Sequence, residues 1–341
     1  MRSIHERLFF RPLLESFSGA KTASRMTADT VRERLAAFGF RDAERTRAAL
    51  RELTSGLTRS SRLMEQMLPV LLDWLSETPD PDLGLLGLRR LMSAQHQQLV
   101  IAFRESPETA RRVCLLLGTS RLLAEPLRQN PDLLTSLGDE STLRPRDRED
   151  LLRQAETVLG LRHGRRQRQR GLLRIKQEGF LRIAARDLLD MDDVSATGMA
   201  LTQLAEAMID AALTRVSPSV PMAVVAMGRF GGDELSYASD LDILLVCKAG
   251  TASELQASQE SASSLLRLLN GETPAERIFT IDAQLRPEGR SGRLVRSISG
   301  YRAYYSRWGQ TWERQALVRA RLVGGDSELG GQFMGVVEDF V

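Results

Sequence analysis

The sequence is poor in cysteine, histidine, lysine and aromatic residues, and it has no long uncharged apolar run. Its two cysteines, Cys114 and Cys247, sit alone in apolar stretches with no CxxC spacing and no histidine nearby. That excludes a zinc ribbon and a disulfide framework. It fits a reducing compartment, the cytoplasm, with both thiols packed as small apolar groups. His5, His96 and His163 are scattered and form no ligand pattern. Aromatic residues make up 5% of the chain, so its cores must be built from Leu, Ala, Val and Met. No apolar run approaches the roughly 18–20 residues that span a bilayer, and the opening MRSIHERLFFRPLLESFSGA is broken by charge, so it does not read as a secretory signal. Lysine occurs only at 21, 176 and 248; almost every cation is arginine. With 47 basic and 44 acidic residues the net charge is only +3, so the pI near 9.1 is no argument for a nucleic-acid partner.

What is present is length, 341 residues, enough for two domains. Residues 1–195 read as an all-helical region, rich in Leu, Ala, Arg, Glu and Gln at spacings of three and four. Helix starts recur: SPETARRVCLLL places Ser106 as cap and Pro107 at the first helical position, and DPDLGLLGLRRLM starts at Asp80 or Asp82. The basic run RHGRRQRQRGLLRIK has no interleaved aromatics. It reads as a solvated helix face or hinge, with a phosphate-binding patch as the alternative. From about residue 195 the pattern changes. MAVVAMG and LDILLVC are short apolar runs of the kind that form buried strands, a helical SELQASQESASSLLRLLN follows, and RIFTIDAQLRP reads as a third strand. The expected class is therefore α+β, with a second domain over residues 196–341.

Two aspartates interrupt the apolar run in MGRFGGDELSYASDLDILLV. In a strand, residues i and i+2 share a face, so Asp240 and Asp242 project together and Leu241, Ile243 and Leu245 lie opposite. In the third strand Asp282 would share a face with Thr280, Gln284 and Arg286. If the second and third strands are neighbours, three carboxylates converge. Unpaired, they would repel one another and be costly to bury; a hard divalent cation such as Mg²⁺ removes that cost and is usually shared with substrate phosphates. Gly231 and Gly232 would let backbone N–H groups approach a phosphate. The turn matches neither the dinucleotide fingerprint nor a P-loop, and taken alone the two aspartates could simply mark an edge strand near a turn.

The combination of strand, Gly-Gly, SDLD opening a strand and a later strand acid resembles nucleotidyltransferases of the DNA polymerase β type. More narrowly, VVAMGRFGGDELSYASDLDILLV is similar to the GxGxxGGxELxxxSDxD motif of glutamine synthetase adenylyltransferases, the bifunctional adenylyltransferase/adenylyl-removing enzymes. IDAQLRPEGRSGRLVRSISGYRAYYSRWGQTWERQALVRARLVGGD is similar to that family's second signature, and LFFRPLLESF and LLGTSRLLAEPLRQNPDLL to its helical regions.

The resemblance implies two Mg²⁺ held by Asp240, Asp242 and Asp282, with Asp282 near the attacking hydroxyl. It places Gly231, Gly232 and Ser239 against the phosphates of ATP and makes Arg286 a phosphate clamp. Tyr301, Tyr304, Tyr305 and Trp308, at helical spacing, read as core packing. The implied reaction moves AMP from ATP to a tyrosine hydroxyl of glutamine synthetase, a regulation of nitrogen assimilation. The alternatives are the phosphorolytic adenylyl-removing half and a non-catalytic fragment that docks on glutamine synthetase. Glutamine synthetase is the implied protein substrate and a PII-type signal protein a further partner, with no nucleic acid and no membrane. Family members carry two such halves. This chain has one, which resembles the C-terminal adenylyl-attaching half and is expected to be incomplete at its C-terminus.

Overall fold

The computed structural model describes residues 28–54, 59–162 and 164–341; the LFFRPLLESF segment, His5 and His163 lie outside them. The chain divides into two compact units between Arg144 and Pro145. The first contains α1 (Ala28–Ala37), α2 (Ala43–Thr54), α3 (Arg59–Ser76), α4 (Pro81–Glu105), α5 (Pro107–Thr119), α6 (Arg121–Gln129), α7 (Asp132–Ser136) and α8 (Glu140–Leu143). The long α4 is its spine, packed by α2, α3, α5, α6 and α7. The caps are those the sequence signals. Asp80 accepts from the Leu83 N–H at 2.9 Å and Ser106 from the Thr109 N–H at 3.1 Å, and each is followed by proline in the first turn.

The second unit opens with α9 (Arg148–Leu161), α10 (Arg165–Leu188) and α11 (Val194–Val216). It continues through β1 (Met222–Ala226), the single turn α12 (Gly228–Gly231), β2 (Leu241–Cys247), α13 (Ala252–Asn270), β3 (Ile281–Asp282) and β4 (Val295–Ser297). It closes with α14 (Ile298–Trp308), α15 (Thr311–Leu317), β5 (Arg321–Gly325) and α16 (Ser327–Phe340). The strands form one mixed sheet in the order β3-β2-β1-β5. β1 runs antiparallel to both β2 and β5. β3 and β4 both lie parallel to β2, β3 beside its start and β4 beside its end.

Strands β1 and β2 are continuously apolar because both faces of the sheet are covered. Val224, Ala226, Ile243 and Leu245 face a core made with α9, α10, α11 and α13, where Leu204, Met208 and Leu265 are buried. Ala223, Val225, Leu244 and Val246 face a second core built by Tyr301, Tyr305, Phe333, Val337 and Phe340. Tyr301 is fully buried and its hydroxyl donates to the Leu245 carbonyl at 3.1 Å. Tyr305 stacks on Phe340 with ring centroids 4.4 Å apart. Core packing thus describes Tyr301 and Tyr305, but not Trp308, which is 69% exposed.

Three further expectations shift. The boundary falls at 144/145 and not near 195, because α9–α11 bury apolar residues in the core beneath the sheet. The third strand is two residues long, so Thr280, Gln284 and Arg286 do not share a strand face with Asp282. The chain turns at once, with the Gln284 N–H donating back to Asp282 Oδ1 at 2.7 Å. The strands β4 and β5 had no sequence signal beyond a single β-branched residue each, Val295 and Val323. The basic run opens α10 with Arg165 and Arg166 exposed; Arg165 pairs with Glu272 and the Arg168 side chain donates to the Arg162 carbonyl.

No described helix is long and apolar enough to cross a membrane. Both cysteines are buried and unpaired.

Candidate active site

β1 delivers the chain to the site. The Met227 N–H donates to the Asp242 carbonyl at 2.9 Å, and the next residue, Gly228, adopts φ +56°. A Cβ on Gly228 would stand 2.5 Å from Asp242 Oδ2. Glycine is required twice over there, by the left-handed backbone and by the carboxylate beneath it. The sequence pointed instead to Gly231 and Gly232. Their N–H groups are spent inside the turn, donating to the Met227 carbonyl at 2.8 Å and the Gly228 carbonyl at 3.2 Å. A Cβ on Gly231 would overlap the Arg319 carbonyl at 1.9 Å, and one on Gly232 would meet the Arg319 side chain at 3.2 Å. These two glycines serve close packing against the segment that enters β5. The one beside the acids is Gly228, which the spacing alone did not distinguish.

Two of the three acids are brought face to face by strand pairing. Asp242 and Asp282 are register partners on the parallel strands β2 and β3, and Asp240 is exposed just before β2. Burial, then the charge of Asp282, then that of Asp240 hold the Asp242 carboxyl above the usual carboxylate range. Among the described residues none of the three forms an ion pair with Arg, Lys or His. Nor, among the described residues, are any three His, Cys, Asp or Glu side chains grouped so that they could hold a metal ion. The arrangement is a facing pair with a third acid in electrostatic reach. Its unneutralised, hard oxygen donors suit a divalent cation of the Mg²⁺ type.

The surrounding side chains fix this geometry. Asp282 also faces the Gln284 amide nitrogen at 3.4 Å, and the Gln284 amide oxygen accepts from Arg290 Nε at 2.8 Å. Arg286 is not extended toward a phosphate. Its Nε donates to the Gly292 carbonyl at 3.1 Å, Nη1 to the Ala283 carbonyl and Nη2 to the Arg290 carbonyl at 3.1 Å. A planar fork of donors is well matched to several carbonyls of one loop, and here it ties residues 283–292 together behind Asp282. Ser239 likewise closes a turn: its Oγ accepts from the Ser236 N–H at 3.0 Å and lies 2.8 Å from Ser236 Oγ, immediately ahead of Asp240.

Sequence reasoning missed a charged network beneath the Gly-rich turn. Glu206, buried on α11, pairs with Arg148 at 3.2 Å and with Arg321 at 2.5 Å. Arg321 also pairs with Asp233 at 2.7 Å and reaches the carbonyls of Phe230 and Gly231. Asp210 accepts from Arg148 at 2.9 Å and from the Gly325 N–H at 3.0 Å. A lone Glu in an apolar helix was the one available signal.

With this geometry established, comparison with known proteins is informative. Residues 110–336 match the model of the GlnE family, glutamate-ammonia ligase adenylyltransferase. The chain belongs to that family. A bifunctional glutamine synthetase adenylyltransferase/adenylyl-removing enzyme of Cutibacterium acnes is 38% identical over 98% of this chain and 34% of that protein. The protein of the same description from Mycolicibacterium smegmatis is 37% identical over 97% of this chain and 35% of its own length, and that of Corynebacterium glutamicum 33% identical over 100% and 34%. The chain spans about a third of the length of the curated relatives it matches. Within the family match lie both the Gly-rich turn at 228–232 and the acids at 240, 242 and 282.

Proposed function

We propose that the chain is a nucleotidyltransferase that moves AMP from ATP to a tyrosine hydroxyl of glutamine synthetase, on a fold of the DNA polymerase β type. The observation that carries the reading is the pairing of Asp242 with Asp282 under Gly228, in a chain of the adenylyltransferase family. Asp240, Asp242 and Asp282 would hold Mg²⁺, two ions in all. Bound there, the ions supply charge neutralisation and polarise the phosphoryl and hydroxyl oxygens.

The chain's own residues do the positioning. Gly228 leaves the space above Asp242 free of side-chain atoms, so a phosphate can approach the acids along the turn. Asp282, held by Gln284 and by the loop that Arg286 ties, would stand near the attacking tyrosine hydroxyl. The tyrosine oxygen forms a bond to the α-phosphorus of ATP, the bond to pyrophosphate breaks and pyrophosphate leaves, and the phenolic proton passes to water. An ordinary tyrosine has a pKa near 10, so lowering that proton's cost is a principal task of an acid-lined, cation-loaded site. A PII-type signal protein as regulator and a cytoplasmic setting belong to the same proposal.

The names of the relatives cover adenylyl removal as well, and the same acids would serve phosphorolysis of adenylyl-tyrosine. The test is to supply glutamine synthetase with ATP labelled at the α-phosphate and, separately, adenylylated glutamine synthetase with inorganic phosphate. Label incorporated into glutamine synthetase supports the proposal. ADP released by phosphate, without incorporation, assigns the chain to the removing reaction.

A further inference from the structure

Between α10 and the segments that precede β2 and β3 is a cavity of about 250 Å³ with an electrostatic character opposite to that of the acid site. Lys176 and Phe180 of α10 line it, together with Tyr237 and Ser239 from the turn before β2 and Arg277 and Phe279 from the segment that leads into β3. The two lining segments are joined at its mouth, where the Leu241 N–H donates to the Thr280 carbonyl at 2.8 Å. Asp240 follows Ser239 directly in the chain, while Leu241, which lines the cavity, faces the side of β2 opposite to Asp242.

Two cations line this cavity and no carboxylate does. Lys176 is half-buried, with its Nζ 5.2 Å from the centre of the Phe279 ring and 5.8 Å from that of Phe180. Among the described residues it has no ion-pair or hydrogen-bond partner. Tyr237, which lines the cavity, donates its hydroxyl to Asp187 at 2.7 Å. Burial alone moves the Lys176 ammonium below its ordinary range, with no carboxylate offsetting it. Aromatic faces compensate a buried ammonium only in part; an unpaired cation in such a place is costly unless an anion joins it.

We propose that this cavity is an oxyanion subsite, in which Lys176 and Arg277 bind a phosphate group, either free inorganic phosphate or a phosphate of a nucleotide seated at the neighbouring acids. The Thr280 hydroxyl, and the one proton of the Ser236–Ser239 hydroxyl pair that is not used between them, add up to two further donors. The subsite does not depend on the direction of AMP transfer, nor on the acids being metal ligands.

The experiment is calorimetric titration of the chain with sodium phosphate, against sodium chloride at matched ionic strength, and with ATP and Mg²⁺. Four proteins are compared: wild type, Lys176→Met, Arg277→Gln and Asp242→Asn. Arg277 is exposed, so its variant folds whatever becomes of Lys176→Met. Phosphate binding by the wild type that weakens at least tenfold in Lys176→Met, weakens several-fold in Arg277→Gln and persists in Asp242→Asn supports the subsite with free phosphate as occupant. No phosphate binding, but ATP affinity that falls in Lys176→Met and Arg277→Gln, supports it with the nucleotide as the source. Phosphate and ATP affinities unchanged in both cationic variants, or no binding of either ligand by the wild type, overturns it. Loss of ATP binding in Asp242→Asn alone bears on the acid site and leaves the subsite standing.

Discussion

Gly228 passes over Asp242 so closely that a single added methyl would stand 2.5 Å from the carboxylate oxygen. Gly228→Ala should therefore destabilise the fold by about 1–2 kcal/mol through its left-handed backbone and reduce transfer by more than its thermal shift explains. Gly335, exposed in α16 with open space where its Cβ would go, is the control. Gly335→Ala should raise stability by roughly 0.5–1 kcal/mol and leave transfer unchanged. Thermal melts and transfer rates of the two variants check this together.

Asp242→Asn should be at least as stable as wild type without divalent ions at neutral pH. The Asp242 carboxyl is held above its ordinary range in the fold, first by burial and then by Asp282 and Asp240. Its folded pKa thus exceeds its unfolded one, and the folded state binds more protons between the two values. Its contribution to stability falls as pH rises through that window and is lowest above it. Melting temperatures in a chelator across acid to neutral pH should show the advantage of Asp242→Asn shrinking as pH falls. An advantage that grows on acidification would contradict the shift.

Breaking the buried network should be far more costly than breaking an exposed pair. Glu206→Ala removes the buried carboxylate that Arg148 and Arg321 share, and about 2 kcal/mol is expected; both guanidinium groups are a third exposed and keep Asp210 and Asp233 as partners, which places the loss below the range for a buried charge left alone. Glu234→Ala removes a solvent-exposed partner of Arg319 and should cost under about 1 kcal/mol. Denaturant unfolding of both variants measures the contrast.

Arg286→Lys separates a loop clamp from a phosphate clamp. A lysine cannot serve the carbonyls of Ala283, Arg290 and Gly292 at once. Hydrogen exchange should quicken across residues 283–292 and transfer should fall, while ATP affinity holds. A loss of ATP affinity with unchanged exchange would restore Arg286 as a phosphate ligand.

The parts of this site that were legible in the sequence are those set by local periodicity. The apolar run marked β2 and put Asp242 at its start, and the caps at Asp80 and Ser106 announced their helices. The pairing of Asp242 with Asp282 needed a neighbour relation between strands, which the family resemblance supplied and periodicity could not. What depended on backbone sign or on distant partners was not legible. Three glycines stood in the turn, and only the +56° φ at Gly228 marks the one beside the acid. Arg286 was placed on a strand face that ends at Asp282. Arg148, Glu206 and Arg321 come from three separate elements, and no spacing links them. The domain boundary was misplaced for a related reason: α9–α11 look like the helices before them, and only their packing on the sheet assigns them to the second unit.

The most direct test of the account is incorporation of label from α-labelled ATP into glutamine synthetase, with Mg²⁺ titrated from zero, by wild type and by Asp242→Asn. The account predicts Mg²⁺-dependent labelling by the wild type and only background labelling by a folded Asp242→Asn. Labelling by Asp242→Asn within roughly twofold of wild type, a difference of only about 0.4 kcal/mol in the barrier, would contradict it.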